Sequence, residues 1–179
     1  MDRKKFLKNV CSTGACACIA TSLMPINTAN ASSTTNTNWK DKFIQSRYAK
    51  LIELLDDNLD EAVKNKIIIE LGRECGRKTY DQKYTHNIEL FIEEIAAKWG
   101  DKITFDKDKG IIHMESKQRQ KCVCPLIDSS KISKSICQCS LGWQMQTYET
   151  IMGKKVEARI VESVIYGGNK CAFEIKIIG

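Results

Sequence analysis

Apolar residues change their spacing once along this chain, from a helical repeat to the alternation of strands. Up to Gly100, three segments carry apolar residues three or four positions apart. Beyond Gly100, Ile103 and Phe105 alternate with polar residues, and the alternation returns over 111–115 after a turn at 106–110. Because helices repeat every 3.6 residues and strands every two, the pattern predicts three helices followed by a hairpin.

The ends of the three helices follow from capping residues. The first begins near Trp39 and ends at the polar break 56–58. Asn58 is predicted to cap the second helix, with Glu61 completing a capping box, and that helix stops near Gly76. Gly100 ends the third helix. The predicted core stripes are Ile44, Tyr48, Leu51, Ile52 and Leu55 on the first helix, Leu59, Val63, Ile67, Leu71 and Cys75 on the second, and Ile88, Phe91, Ile92, Ile95 and Trp99 on the third.

The C-terminal third predicts one more helix and a second hairpin. Ser140 is expected to cap the helix, and Gly153 lies just past its end. The following alternation predicts two strands joined by a tight turn at Gly167-Gly168 or Gly168-Asn169. The alternating residues are Val156, Ala158 and Ile160, then Cys171, Phe173, Ile175 and Ile177. The fold class predicted is α+β, an antiparallel sheet of two hairpins covered by about four helices in the order ααα-ββ-α-ββ.

The N-terminus predicts an export signal. Basic residues within 2–8 precede an apolar stretch at 10–24, and Ala29-Asn30-Ala31 supplies a cleavage site. We therefore expect a signal peptide at 1–31, a polar linker at 32–38 and a single α+β domain at 39–179, in the periplasm or cell envelope of a bacterium. Arg3-Lys4 gives the signal a twin-arginine-like character, while a general secretory signal or lipidation at Cys16 or Cys18 are alternatives. No transmembrane span is expected in the mature chain.

Charge excludes one class of partner. The net charge is +6, and the basic N-terminal residues supply much of it. No cluster of Lys and Arg is interleaved with aromatic residues, so nucleic acid is not an expected partner.

Two tight cysteine pairs, Cys122-Val123-Cys124 and Cys137-Gln138-Cys139, point most directly at chemistry. The two sulfurs of a Cys-x-Cys pair do not bond each other in relaxed geometry, so each cysteine is expected to bond a partner outside its own pair. Four thiolates facing one another predict a metal site at Cys122, Cys124, Cys137 and Cys139, filled by zinc or an iron–sulfur cluster.

Other roles for the sulfurs remain open at this stage. Disulfides between the pairs would close loops that each stabilise the fold by about 3 kcal/mol, and an oxidising compartment favours them. Cys75 and Cys171 are expected to be core residues on apolar faces. A third alternative is an amidohydrolase-like enzyme with a cysteine nucleophile and His113 as a general base, although no spacing identifies a catalytic residue.

A family resemblance covers about residues 122–179. It is carried by Cys137-x-Cys139-Ser140-x-Gly142-Trp143, by Gly153-x-x-Val156 and by the ending Gly167-Gly168-x-x-Cys171-x-Phe173. These residues resemble the vinyl-4-reductase-type ligand-binding domains and the related L-2-amino-thiazoline-4-carboxylic acid hydrolase-like proteins. The resemblance implies a domain that holds a small-molecule ligand between helices and sheet. Its members include sensory modules and proposed enzymes, so it leaves catalysis open. The residues expected to bind the ligand are Trp143, Tyr148, Cys75 and His113.

Overall fold

In the computed structural model, which describes residues 39–179, four α-helices and a four-stranded antiparallel sheet follow one another in the predicted order. The expected signal peptide and linker lie outside these residues. The helices are α1 (Trp39–Asn58), α2 (Glu61–Thr79), α3 (Ile88–Trp99) and α4 (Cys137–Met152). The strands are β1 (Lys102–Asp106), β2 (Ile111–Glu115), β3 (Lys155–Glu162) and β4 (Ala172–Ile178).

The two predicted hairpins join into one sheet with strand order β1-β2-β4-β3. The joint is the antiparallel pairing of β2 with β4, in which Ile112 faces Ile175. Both of these side chains are fully buried under the helices, whereas His113 and Lys176 on the opposite face are exposed. The alternation seen in the sequence therefore separates a core face from a solvent face, as expected for a sheet covered on one side.

Three predicted boundaries are wrong for local reasons. Asp60 caps α2 by accepting a hydrogen bond from the Val63 amide, so Asn58 is instead the last residue of α1. Ser140 caps nothing, because α4 already begins at Cys137, directly after a 3-10 turn at Lys134–Ile136. The tight glycine turn between β3 and β4 is replaced by a 3-10 turn at Val164–Tyr166, which Gly167 ends with a φ of 95°.

The predicted core stripe of α2 is also wrong. Val63, Ile67 and Leu71 are more than 40% exposed, and Cys75 is exposed as well. The buried face of α2 lies beside them and is formed by Ile68, Gly72 and Gly76. The helix continues to Thr79, three residues beyond the predicted stop at Gly76.

The buried face of α2 contains glycines because α2 and α4 cross so closely there that their backbones are in contact. A Cβ atom at Gly72 would overlap the carbonyl oxygen of Cys139, and one at Gly142 would overlap the carbonyl oxygen of Ile69. No other pair of elements within residues 39–179 shares so extensive a contact. Beside the crossing, the guanidinium of Arg73 donates two hydrogen bonds to Glu149, at 2.6 and 3.2 Å.

The buried side chains form two clusters. The larger, which we term the sheet cluster, joins α3, α4 and the sheet and includes Phe91, Ile112, Tyr148 and Ile175. The smaller, which we term the cysteine cluster, lies between α1, α2, the segment 116–136 and the start of α4. Its members are Ile52, Ile68, Ile127, Ile136 and Cys137, with Tyr48, Leu55, Cys122, Cys124, Ile132, Cys139, Ile160 and Ile165 packed against them.

Replacing Gly72 by Ala tests the crossing. In a free helix this change stabilises by about 1 kcal/mol, but here the new methyl group meets backbone that cannot move aside. We expect a loss of at least about 2 kcal/mol in the free energy of unfolding, measured by urea denaturation. Gly76→Ala is the graded comparison and should cost less stability, because its Cβ would meet Gln146 Cβ at 2.9 Å and the Trp143 carbonyl oxygen at 3.3 Å, milder overlaps than the 1.9 Å at Gly72. Equal or increased stability of the Gly72 variant would contradict the crossing.

Candidate functional site

The six cysteines of the described residues come from four separate elements. Cys75 is in the last turns of α2, Cys122 and Cys124 are in the segment 116–136, Cys137 and Cys139 open α4, and Cys171 immediately precedes β4. All six are free thiols. The fold brings them into two groups, and Cys122 interacts electrostatically with members of both.

The first group, the helix-side group, contains Cys75, Cys124 and Cys139. Ionised Cys75, Cys124 or Cys122 would each raise the pKa of the Cys139 thiol, which is also hydrogen-bonded to the phenol of Tyr48 on α1. Contact between Gly72 and Cys139 places the end of α2 here, and Cys75 lies one turn further along that helix.

The second group, the sheet-side group, contains Cys137 and Cys171, and Cys122 interacts with both groups. Cys171 and Cys122 both act electrostatically on Cys137, whose sulfur lies 3.1 Å from the hydroxyl of Ser163. Ser163 is buried just past the end of β3. The Cys171 amide donates to the hydroxyl of Ser116 at 3.0 Å, which anchors this end of the group to the segment that leaves β2.

Burial sets the acidity of these thiols. It raises the pKa of Cys124, Cys137 and Cys171, and it raises the pKa of Cys139 to about 11. At neutral pH these four sulfurs are therefore protonated and are weak nucleophiles, since the thiolate is the reactive form. A metal ion would have to displace their protons in order to bind.

The four predicted metal ligands all pack in the cysteine cluster. Cys137 faces Ser163 past the end of β3, whereas Cys139 is beside α2 and Tyr48. Within residues 39–179, no three His, Cys, Asp or Glu side chains are arranged so that they could hold a metal ion. A site for zinc or an iron–sulfur cluster at these four residues thus stays a prediction.

The four residues expected to bind a ligand lie in different places. Tyr148 is fully buried in the sheet cluster, and its ring centroid lies 5.7 Å from that of Phe91 in an edge-to-face arrangement. Trp143 is half-buried and its Nε1–H donates to Thr79 Oγ1, next to the α2 turn that carries Cys75. His113 is half-exposed on the solvent face of the sheet, beside Glu174. Trp143 and Cys75 are thus neighbours, while Tyr148 and His113 are separate from them and from each other.

Tyr148 instead belongs to a buried polar group around Asp101. The Asp101 carboxylate accepts from Arg119 Nη2 at 3.0 Å, and burial, together with the negative charge of Asp101, raises the pKa of the Tyr148 hydroxyl. The Tyr148 hydroxyl and Arg119 Nε are both buried, and neither has a hydrogen-bond partner among the described residues. A buried polar atom without a partner costs about 1–3 kcal/mol, so two beside one carboxylate mark an unusual site.

Arg119 also lines an open cleft of about 580 Å³ at the end of α3. Four cationic residues surround this basic cleft, and Trp99 and Val123 give it apolar walls. The cations are Lys98, Lys117, Arg119 and Lys121, and Gln120 completes the lining. The lining contains no acidic side chain, so the cleft favours an anion.

Sequence patterns could not identify Asp101 and Arg119 as partners. Both lie in irregular polar segments, where periodicity carries no information, and eighteen positions separate them. The signal available was weak: Asp101 directly follows the helix-ending Gly100, and Arg119 lies in a basic run with Lys117 and Lys121.

In residues 39–179, we find no helix that has both the length and the apolar character needed to cross a membrane.

Comparison with known proteins gives likeness of fold only. No family model matches the chain, and no curated protein sequence does. Among solved structures, the chain is similar to trafficking protein particle complex subunit 3 from Naegleria fowleri, a structure covalently bound to palmitic acid. The identity is 14%, with 79% of this chain and 96% of that chain covered and a TM-score of 0.50. At this identity the likeness establishes a shared fold and nothing about function.

Two further solved structures are similar at lower scores. One is the phenol-responsive sensory domain of the transcription activator PoxR with phenol, at 16% identity, 74% coverage of each chain and a TM-score of 0.45. The other is a vinyl-4-reductase family protein from Methanocaldococcus jannaschii, at 16% identity, covering 79% of this chain and 90% of that chain, with a TM-score of 0.37. A member of the family that the C-terminal residues resemble is thus among the similar structures.

Proposed function

We propose that this chain is a small-molecule-binding domain and that its ligand is an anion with an apolar body, held in the basic cleft. The observation that carries the proposal is the lining of that cleft, in which Arg119 and three lysines stand without an acidic side chain. A carboxylate is the complement of a guanidinium, because it accepts charge-assisted hydrogen bonds in the plane of the donors.

The shape and charge of the cleft agree with such a ligand. Lys98, Lys117 and Lys121 add positive charge around Arg119, and Trp99, 46% exposed, offers a flat apolar surface. Pockets for small molecules commonly combine apolar walls with a few convergent polar groups. A volume of about 580 Å³ lies within the usual range for such pockets.

Asp101 and Tyr148 complete the proposed site behind Arg119. Asp101 accepts from Nη2 of Arg119 and so orients the guanidinium, while Nε is buried and has no partner among the described residues. The Tyr148 hydroxyl also lacks a partner and lies outside the cleft lining, so it is proposed as a donor only to a ligand group that enters the core beyond Arg119. The trafficking subunit, whose structure is covalently bound to palmitic acid, supports the choice of an acyl chain as the apolar body.

Titration with decanoate tests the charge requirement. We expect decanoate to bind and the uncharged decanol to bind at least tenfold more weakly, measured by calorimetry below the critical micelle concentration.

Removing two cleft cations in Lys117→Ala/Lys121→Ala should weaken decanoate binding by about threefold to tenfold, as expected for exposed charges. The matched control, Lys102→Ala/Lys176→Ala, removes two exposed lysines from the sheet. Equal weakening by both double variants, or no binding of decanoate, would contradict the proposal.

Tyr148→Phe separates binding from stability. Removing a buried hydroxyl that has no partner should leave the ligand-free protein as stable or more stable, by up to about 1 kcal/mol. The same change should weaken decanoate binding about fivefold, the equivalent of one hydrogen bond. Tyr84→Phe is the control, because the Tyr84 hydroxyl donates to Glu94 at 2.7 Å and its loss should destabilise without affecting binding. A destabilised Tyr148→Phe protein that binds normally would refute the proposed role.

The Cys122, Cys124, Cys137 and Cys139 metal site is a second proposal. The observation in its favour is that all four residues pack in the one cysteine cluster. When bound there, zinc would cross-link the segment 116–136 to α4. Metal analysis of protein purified under reducing conditions should give close to one equivalent of zinc or iron, and less than a tenth of an equivalent would exclude the site.

A further inference from the structure

We propose that a second copy of this chain docks on a face formed by α1 and α2, so that the domain is a two-fold symmetric dimer. Eight of the fourteen large apolar side chains that are exposed within residues 39–179 lie on these two helices. They are Trp39, Phe43, Ile44, Leu51 and Leu54 on α1, and Val63, Ile67 and Leu71 on α2. Single apolar side chains are ordinary on a protein surface, but a contiguous set marks an interaction site.

Two links show that α1 and α2 run antiparallel. Next to the short connection between the helices, Lys64 Nζ lies 2.8 Å from Asp56 Oδ1. One turn further from the connection on each helix, Ile52 and Ile68 are buried in the same cluster. From the first link to the second, the chain position falls on α1 and rises on α2, so the two helices lie side by side in opposite directions.

The exposed apolar side chains of both helices lie on the same side of this hairpin. Leu51 precedes the buried Ile52 by one position, and Ile67 likewise precedes the buried Ile68. One position is a rotation of about 100° around a helix axis. Because the helices are antiparallel, the same rotation away from their facing sides leads to the same side of the pair. The two apolar stripes therefore form one surface, which we term the hairpin face.

The hairpin face is large enough for a stable dimer. With 20 and 19 residues, each helix is about 30 Å long. Two such helices side by side, each about 10 Å across, present a face of about 600 Å² in projection, and the relief of the side chains adds to its accessible area. Specific interfaces bury about 800 Å² on each partner. A second copy that covers both helices buries an area of this size.

The charge distribution of α1 complements that of a second, antiparallel α1. Residues 39–48 carry three cations and one anion, whereas residues 49–58 carry one cation and three anions. This order is the reverse of what the helix dipole favours, because anions stabilise the N-terminal end of a helix and cations the C-terminal end. Two antiparallel copies of α1 place the basic half of each opposite the acidic half of the other. An anionic membrane would instead attract a face that is basic throughout.

Arg47 and Asp57 are the charges that this arrangement brings together. The Arg47 guanidinium lies over the Phe43 ring, 5.2 Å from its centroid. In the part of the chain that the structure describes, neither Arg47 nor Asp57 forms an ion pair. Because they lie on opposite sides of Leu51 along α1, a two-fold axis near Leu51 sets Arg47 of each copy opposite the partner's Asp57. A symmetric interface forms such a pair twice.

Analytical ultracentrifugation of the full chain in reducing buffer tests the dimer. We expect the wild type to sediment as a dimer at micromolar concentration. Leu51→Glu should weaken dimerisation at least about thirtyfold, since it places two carboxylates in an apolar contact. Val161→Glu is the matched control and should leave dimerisation unchanged, because Val161 is 54% exposed on β3, as Leu51 is 49% exposed on α1. A wild type that stays monomeric, or two variants that dimerise equally well, would overturn the proposal.

Exchanging the charges of Arg47 and Asp57 tests the antiparallel arrangement. Arg47→Glu and Asp57→Arg should each weaken dimerisation by about threefold to tenfold, as expected for two symmetric pairs of exposed charges. The double variant recreates both pairs with reversed signs and should dimerise within about twofold of the wild type. A thermal melt of every variant checks that it folds.

Two results of this exchange would contradict the proposal. One is a double variant that dimerises no better than the single variants. The other is a monomer that binds vesicles of anionic phospholipid, more weakly as Arg47→Glu and more strongly as Asp57→Arg, which would assign the hairpin face to a membrane instead.

Discussion

The backbone contact between α2 and α4 is the constraint on which the rest of the structure depends. Helices usually pack through side chains at axial separations of 8–10 Å, but Gly72 and Gly142 have none, so here the carbonyl groups of Cys139 and Ile69 take their place. Because the two backbones touch at these glycines, the contact fixes the position of α4 relative to α2. The Arg73–Glu149 ion pair then joins the same two helices next to Gly72 on α2 and about two turns from Gly142 on α4.

Both candidate chemical regions follow from this placement of α4. Its first turn delivers Cys137 and Cys139 to the cysteine cluster, and its middle delivers Tyr148 to the sheet cluster near Asp101. The segment 116–136 connects the regions along the chain, because Arg119 lies near its start and Cys122 and Cys124 follow within five positions. A ligand at Arg119 and a change at the cysteines would therefore act on the same segment.

Periodicity predicted the order of the helices and strands, although Ile44 and Leu51 on α1 and Trp99 on α3, which it placed in the core, are 46–49% exposed. It failed on α2, where Val63, Ile67 and Leu71 suggested the core and Gly72 gave no hydrophobic signal, although backbone contact buries it. The cysteine pairs were identified in the sequence, but the different surroundings of Cys137 and Cys139 were not. Proximity of Cys75 to Cys139 depends on the helix crossing, and no pattern along the chain encodes that tertiary contact. The same holds for Asp101 and Arg119.

The link between the crossing and the sulfur groups can be measured by the alkylation rates of individual thiols in folded Gly72→Ala protein, relative to wild type. If the crossing holds Cys139 against α2, the variant should expose the Cys139 thiol. Its alkylation rate should then rise at least tenfold more than the alkylation rate of Cys171, which lies on the sheet side. Because global unfolding would accelerate both thiols alike, the ratio of the two rates isolates the local effect. An unchanged ratio in a folded variant would contradict the account.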